Sequence, residues 1–215
     1  MTHKYRYLIP NSITFTSLTC GVISILAAVS GHFAISGGLI TTSYVLDLLD
    51  GVLARKLNAD SEFGVQLDSL VDMVSLGTAP PVLVFAHLRA ENYPFLPWVW
   101  VFAILFVMAG AFRLARFNLG PAKTTTDLNR SSAKDTVGLT ISAAGVALAL
   151  AVLADISPDL DRSSRYQDFF PNHLFLPLMA AVSLLMVSRI PHPAFGQVFG
   201  DRRISPFVVV AAVLL

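Results

Sequence analysis

Six apolar runs, near residues 8–30, 33–57, 64–88, 94–116, 136–156 and 172–190, alternate with short polar stretches. Each is close to the length of about 20 residues that a membrane-crossing helix needs. The pattern predicts an all-α polytopic membrane protein with one six-helix domain over 1–190. A C-terminal segment, 191–215, ends in the ten-residue run PFVVVAAVLL, too short to cross, so the chain is expected to stop inside a helix. The first run lacks the short apolar core and small-residue cleavage site of a signal peptide and is expected to be retained. The polar stretch SPDLDRSSRYQDFFP at 157–171 reads as a surface connection, with Phe169 and Phe170 at the membrane interface. No internal repeat divides the chain.

Composition agrees with that pattern: 54% of residues are hydrophobic, 13% are charged, and the mean hydropathy is +0.66. Lys and Arg total 15 against 14 Asp and Glu, so no basic excess marks nucleic acid as a partner. The lone Cys20 excludes an intramolecular disulfide and reads as a small residue packed between helices. With loops assigned alternately, twelve Lys and Arg residues fall on one side of the membrane and three, Arg89, Arg162 and Arg165, on the other. By the positive-inside rule the amino terminus and the loops after helices two, four and six are expected to face the cytoplasm.

Against this apolar background, LDLLDGVLARKLNADSEFGVQLDSLVD, residues 46–72, carries Asp47, Asp50, Asp68 and Asp72. Asp47 and Asp50 are three apart at the end of helix two, and Asp68 and Asp72 are four apart at the start of helix three, so each pair shares a helix face. Asn58, Asp60 and Ser61 supply turn residues, making the two helices an antiparallel hairpin that gathers the carboxylates at its cytoplasmic end. At 100° per residue Ala54 falls about 20° from Asp47, and Gly64 precedes Asp68 by one turn. Residues without bulk therefore line the aspartate faces and leave room for something large.

An ionised residue at mid-membrane costs about 2.5–3.5 kcal/mol on insertion scales, less towards the ends, and converging negative charges repel as well. Divalent metal offsets both terms. The stretch offers oxygen donors with neither His nor Cys, which favours Mg²⁺ or Mn²⁺ over Zn²⁺, and four carboxylates can hold two ions. Paired metals suit displacement at phosphorus, one steadying the attacking oxygen and one the leaving oxygen. Plain interfacial pairing with Arg55, Lys56 and Arg116 accounts for a single aspartate better than for four at this spacing. A cation transporter is the non-enzymatic alternative.

The pattern Asp47-x-x-Asp50-Gly51-x-x-Ala54-Arg55, then Gly64-x-x-x-Asp68-x-x-x-Asp72, resembles the complete signature of the CDP-alcohol phosphotransferases. That resemblance implies a six-helix membrane fold, often a homodimer, which moves a phosphoalcohol from a CDP-linked donor to an alcohol and releases CMP. Carried over by position, Asp47, Asp50 and Asp68 are metal ligands, and Asp72 is both a ligand and the base for the acceptor hydroxyl. Gly51, Ala54 and Gly64 would admit the nucleotide, and Arg55 would face its phosphates. Asn11 and Thr14 either hydrogen-bond cytosine, as the resemblance suggests, or cap the first helix.

Three further runs, PNSITFTSLTCG at 10–21, SEFGVQLDSLVDMVSLGTAP at 61–80 and RLARFN at 113–118, resemble the branch of the family that uses CDP-diacylglycerol and L-serine. Polyol-phosphate branches, which take glycerol phosphate or inositol phosphate, typically have proline after the third aspartate and a basic residue after the fourth. Ser69 and Met73 stand there instead. The run VGLTISAAG in helix five departs from the serine branch's usual GLPIPAA. A serine carboxylate suits a bidentate arginine, so Arg113 and Arg116, on one helix face, with Asn118, are the expected acceptor residues. Another acceptor or an ether-lipid donor is the alternative within the family. A lipid donor entering sideways and water-soluble serine and CMP place the site at the cytoplasmic face of the cell membrane. Histidines 3, 32, 87, 173 and 192 are expected at the interface, and Trp98 and Trp100 as membrane-belt anchors.

Overall fold

The computed structural model describes residues 8–57, 62–118, 136–137, 139–160, 172–188 and 191–192. Its helices are α1 (Leu8–Val29), α2 (Phe33–Leu57), α3 (Glu62–Asp72), α4 (Ala79–Ala90), α5 (Leu96–Asn118), α6 (Ile141–Leu160) and α7 (Phe175–Val187). A π-helical segment, Met73–Thr78, joins α3 to α4 in one continuous rod, so the described chain forms a bundle of six rods. Asn11–Val29, Phe63–Ala90 and Leu96–Asn118 are long and apolar enough to cross a membrane, and Ile141–Ile156 and Asn172–Val187 are shorter apolar helices. The protein is an all-α membrane protein. Thr136–Val137 and Pro191–His192 pair antiparallel outside the bundle.

Two rods end in the same hydrogen-bonded device. After α1, the His32 N–H donates to the Ala27 carbonyl at 2.8 Å and the Gly31 N–H to Ala28 at 3.1 Å, with Gly31 at φ 81°. After α4, Tyr93 donates to Leu88 at 3.0 Å and Asn92 to Arg89 at 3.2 Å, with Asn92 at φ 54°. Both are Schellman closures, and glycine and asparagine are the residues that tolerate the left-handed position. α6 begins later than the apolar pattern predicts. The Thr140 hydroxyl accepts from the Ala143 N–H at 3.1 Å as a helix N-cap, which makes Ile141 the first helical residue in place of 136.

α1 runs along α2, α5 along α7, and α6 lies against α2 and α4. Lipid tails are as apolar as leucine, so close approach and hydrogen bonds hold such rods together. Ser17 and Ser43 bridge α1 and α2 at 2.6 Å, and Ser24 and Ser36 do so again at 3.0 Å, all fully buried. The core behind them contains Ile40, Leu83, Phe106, Leu148, Phe175 and Met179.

His87 corrects an expectation. It is 4% exposed rather than interfacial, bonded through Nε2 to Asp155 of α6 at 2.6 Å and set edge-on to the rings of Phe33 and Phe175. An acidic partner 68 residues away in sequence makes burial of this polar ring tolerable. His32 and His173 are exposed, and His3 and the side chain of His192 lie outside the described residues. Trp98 and Trp100 are exposed at the start of α5, Trp100 also tilting against Phe85 at 4.5 Å between centroids.

Candidate active site

Alternation of the rods gathers the start of α1, the end of α2, the start of α3, the end of α5, the start of α6 and the end of α7 at one end of the bundle. All the described candidate residues fall there. Asp47 and Asp50 project from the last turns of α2 and Asp68 from α3, and one carboxylate oxygen of each lies within 4.8 Å of the others. Three carboxylate oxygens this close together could share one divalent cation. The donors are all carboxylate oxygens, as a hard cation requires. Three of the four expected carboxylates therefore converge. Asp72 stands outside that triad, one turn on from Asp68, within electrostatic reach of all three and of Arg113.

Hydroxyl groups brace the triad. Thr14 of α1, buried, donates to Asp50 Oδ2 at 2.7 Å, and Ser142 in the first turn of α6 reaches Asp47 Oδ2 at 3.4 Å. Asp50 itself is 6% exposed. The Thr14 hydroxyl, expected to bind the nucleotide or cap α1, is directed at a carboxylate. Asn11 lies half-buried on α1, one turn before Thr14. Ser142 was not singled out by the sequence; its only local trace is its place in VGLTISAAG, and the contact spans 95 residues.

Beside Asp50, a methyl group on Gly51 would meet no atom of the described residues within 4 Å. Gly64 is half-buried one turn before Asp68. Ala54 and Arg55 continue α2, but their side chains lie outside the described part of the structure.

The expected acceptor residues separate. Arg113 is 7% exposed, and its Nε has no hydrogen-bond partner among the described residues. Arg116 instead donates through Nη1 to the Val187 carbonyl at the end of α7, at 3.3 Å, and lies 6.0 Å from the centroid of Phe112. Asn118 Nδ2 donates to Ser69 Oγ at 3.2 Å, tying the end of α5 to the residue after Asp68. A buried guanidinium with an unmatched N–H close to a carboxylate can receive an anionic group; a guanidinium braced on another helix serves packing first.

The family described as CDP-alcohol phosphatidyltransferase matches residues 7–184. A CDP-diacylglycerol–serine O-phosphatidyltransferase of Helicobacter pylori (strain ATCC 700392 / 26695) is 34% identical over 204 residues, covering 95% of this chain and 79% of the relative. Proteins of the same name are 30% identical in Bacillus subtilis (strain 168), over 88% of this chain and 92% of the relative, and in Methanocaldococcus jannaschii, over 86% and 85%.

Proposed function

Because the chain belongs to the CDP-alcohol phosphatidyltransferase family, we propose that it transfers the phosphatidyl group of CDP-diacylglycerol to L-serine and releases CMP. The observation that carries this reading is the convergence of Asp47, Asp50 and Asp68. The relatives' names support serine as the acceptor.

Asp47, Asp50 and Asp68 would hold divalent cation, with Asp72 contributing to a second ion. Bound there, Mg²⁺ or Mn²⁺ would neutralise the pyrophosphate oxygens and the leaving CMP. Thr14 and Ser142 keep Asp50 and Asp47 aimed at the common centre. By family resemblance, Gly51, Ala54 and Gly64 would leave the nucleotide room, Arg55 would meet its phosphates and Asn11 its base. Arg113 receives the serine carboxylate, which brings the serine hydroxyl towards Asp72. Asp72 takes the hydroxyl proton as the serine oxygen attacks the phosphorus that bears diacylglycerol. The bond from that phosphorus to the CMP oxygen breaks, and no covalent enzyme intermediate forms. Incubation of purified protein with CDP-diacylglycerol, labelled serine and Mn²⁺ is expected to give labelled phosphatidylserine; a cation transporter would give none.

The site end of the bundle faces the cytoplasm in this proposal, as the twelve-to-three distribution of basic residues supports. In a background lacking Cys20, a cysteine at Ser163 is expected to react with an impermeant maleimide added outside cells, and one at Ser131 only after lysis. The reverse pattern would invert the orientation and remove the route by which serine reaches the site. A homodimer, as the family resemblance implies, is part of the same proposal.

A further inference from the structure

We propose that the π-helical segment Met73–Thr78 is a register device that sets the aspartate face of α3 against the triad, with Ser75, Thr78, Gly21 and Gly145 as positioning residues. This rests on the function proposed above and concerns how that site is held together.

The offset can be read from helix phase. At 100° per residue, Asp68 and Asp72 define a direction about 20° from Asp68, whereas Leu83, Val84, His87 and Leu88 average about 130°. In an unbroken α-helix these faces would diverge by about 110°. Yet Leu83, Val84, His87 and Leu88 are all buried, while Asp68 contributes to the triad and Asp72 lies in its field. A π turn absorbs one extra residue, and so removes about 100° of that divergence. The Ala79 N–H bonds to the Val74 carbonyl, five residues back, as a π turn demands.

Sequence chemistry explains why the wide turn falls here. Pro80 and Pro81 have no N–H, so the Leu76 carbonyl loses its donor in either an α or a π ladder. The segment is met from two other rods and braced from within. A Cβ on Gly145 of α6 would collide with the Leu76 carbonyl, and one on Gly21 of α1 with Ser75; both glycines let a neighbouring rod close onto the turn. The Ser75 hydroxyl donates to the Ser17 carbonyl at 3.2 Å, and Thr78 Oγ1 to the Met73 carbonyl at 2.8 Å. Ser75, Leu76 and Gly77 are buried. π segments recur inside helices at functional sites, where they turn one stretch of a helix relative to the next.

The test separates residue count from residue identity. Deleting Val74 should close the turn and swing Asp68 and Asp72 away, whereas Val74→Ala keeps the count and should behave as wild type. Gly145→Ala should push the Leu76 carbonyl and shift the same face, with Gly38→Ala, where a methyl meets nothing within 4 Å, as the control. Mn²⁺ binding to purified protein, followed by paramagnetic resonance, is compared with detergent elution and thermal unfolding. The expected result is Mn²⁺ affinity about 10–100-fold weaker in Gly145→Ala, and in the deletion if it folds, with elution unchanged. Wild-type Mn²⁺ affinity in folded Gly145→Ala would overturn the proposal, as would a deletion variant that binds Mn²⁺ normally. Should the deletion fail to fold, Gly145→Ala decides alone. If wild type binds Mn²⁺ but forms no lipid product, the catalytic reading fails while the register device stands.

Discussion

Asp47→Asn, Asp50→Asn, Asp68→Asn and Asp72→Asn are each expected to reduce CMP release by a hundredfold or more, on the order of the loss seen when a group stabilising transition-state charge is removed. The protein should still accumulate in the membrane. Three of these carboxylates share one centre within 4.8 Å, so losing any one weakens the binding of cation by the rest. Asparagine preserves size but exchanges one acceptor oxygen for an NH₂ donor and removes the charge. Asp72 should fall for a different reason, because it stands outside the triad: its variant should keep much of the Mn²⁺ affinity while losing turnover. Asp60→Asn, at a position expected from the sequence to be a turn and outside the described residues, should be mild. Rates of CMP release by equal amounts of each membrane-inserted variant check this. Near-normal activity in three of the four would contradict the metal reading, and equal loss at Asp60 would indicate general misfolding.

Arg113→Ala is expected to raise the serine concentration needed for half-maximal rate by about ten- to a hundredfold, the equivalent of one charged hydrogen bond of about 1.5–3 kcal/mol. The requirement for CDP-diacylglycerol should change much less. The basis is the buried guanidinium with an unmatched Nε near Asp72. Arg116→Ala should move the serine requirement less, since Arg116 is braced on the end of α7. Arg113→Lys keeps the charge but not the planar fork, so it should restore turnover at saturating serine more than it restores apparent affinity. Initial rates against each substrate in turn provide the check; an unchanged serine requirement in Arg113→Ala would remove Arg113 from the acceptor site.

The rods were legible because lipid imposes one rule on every span: a helix long and apolar enough to leave no backbone group unpaired. The aspartates were legible because charge in that setting demands compensation, and their spacing puts each pair on one face. What the pattern of residues left out is tertiary. Thr14 meets Asp50 across 36 residues and Ser142 meets Asp47 across 95, and serine and threonine are too common in membrane helices to signal such contacts. His87 sits near a helix end in sequence, and only the fold brings Asp155 to it. Arg113 and Arg116 share a face by spacing, but α7 claims one of them. The π segment had a local trace, Pro80–Pro81 just after the second aspartate pair; its effect on helix phase needed the buried face of α4 to be known.

The central claim is that the carboxylate site transfers a phosphatidyl group to serine, and CMP release by purified wild-type protein tests it most directly. CDP-diacylglycerol and Mn²⁺ or Mg²⁺ would be supplied with serine, glycerol phosphate or inositol phosphate as alternative acceptors, each with and without a chelator. The expected result is release driven by serine, absent with the other two acceptors and abolished by the chelator. A clear preference for glycerol phosphate or inositol phosphate, or release with serine that survives the chelator, would contradict it.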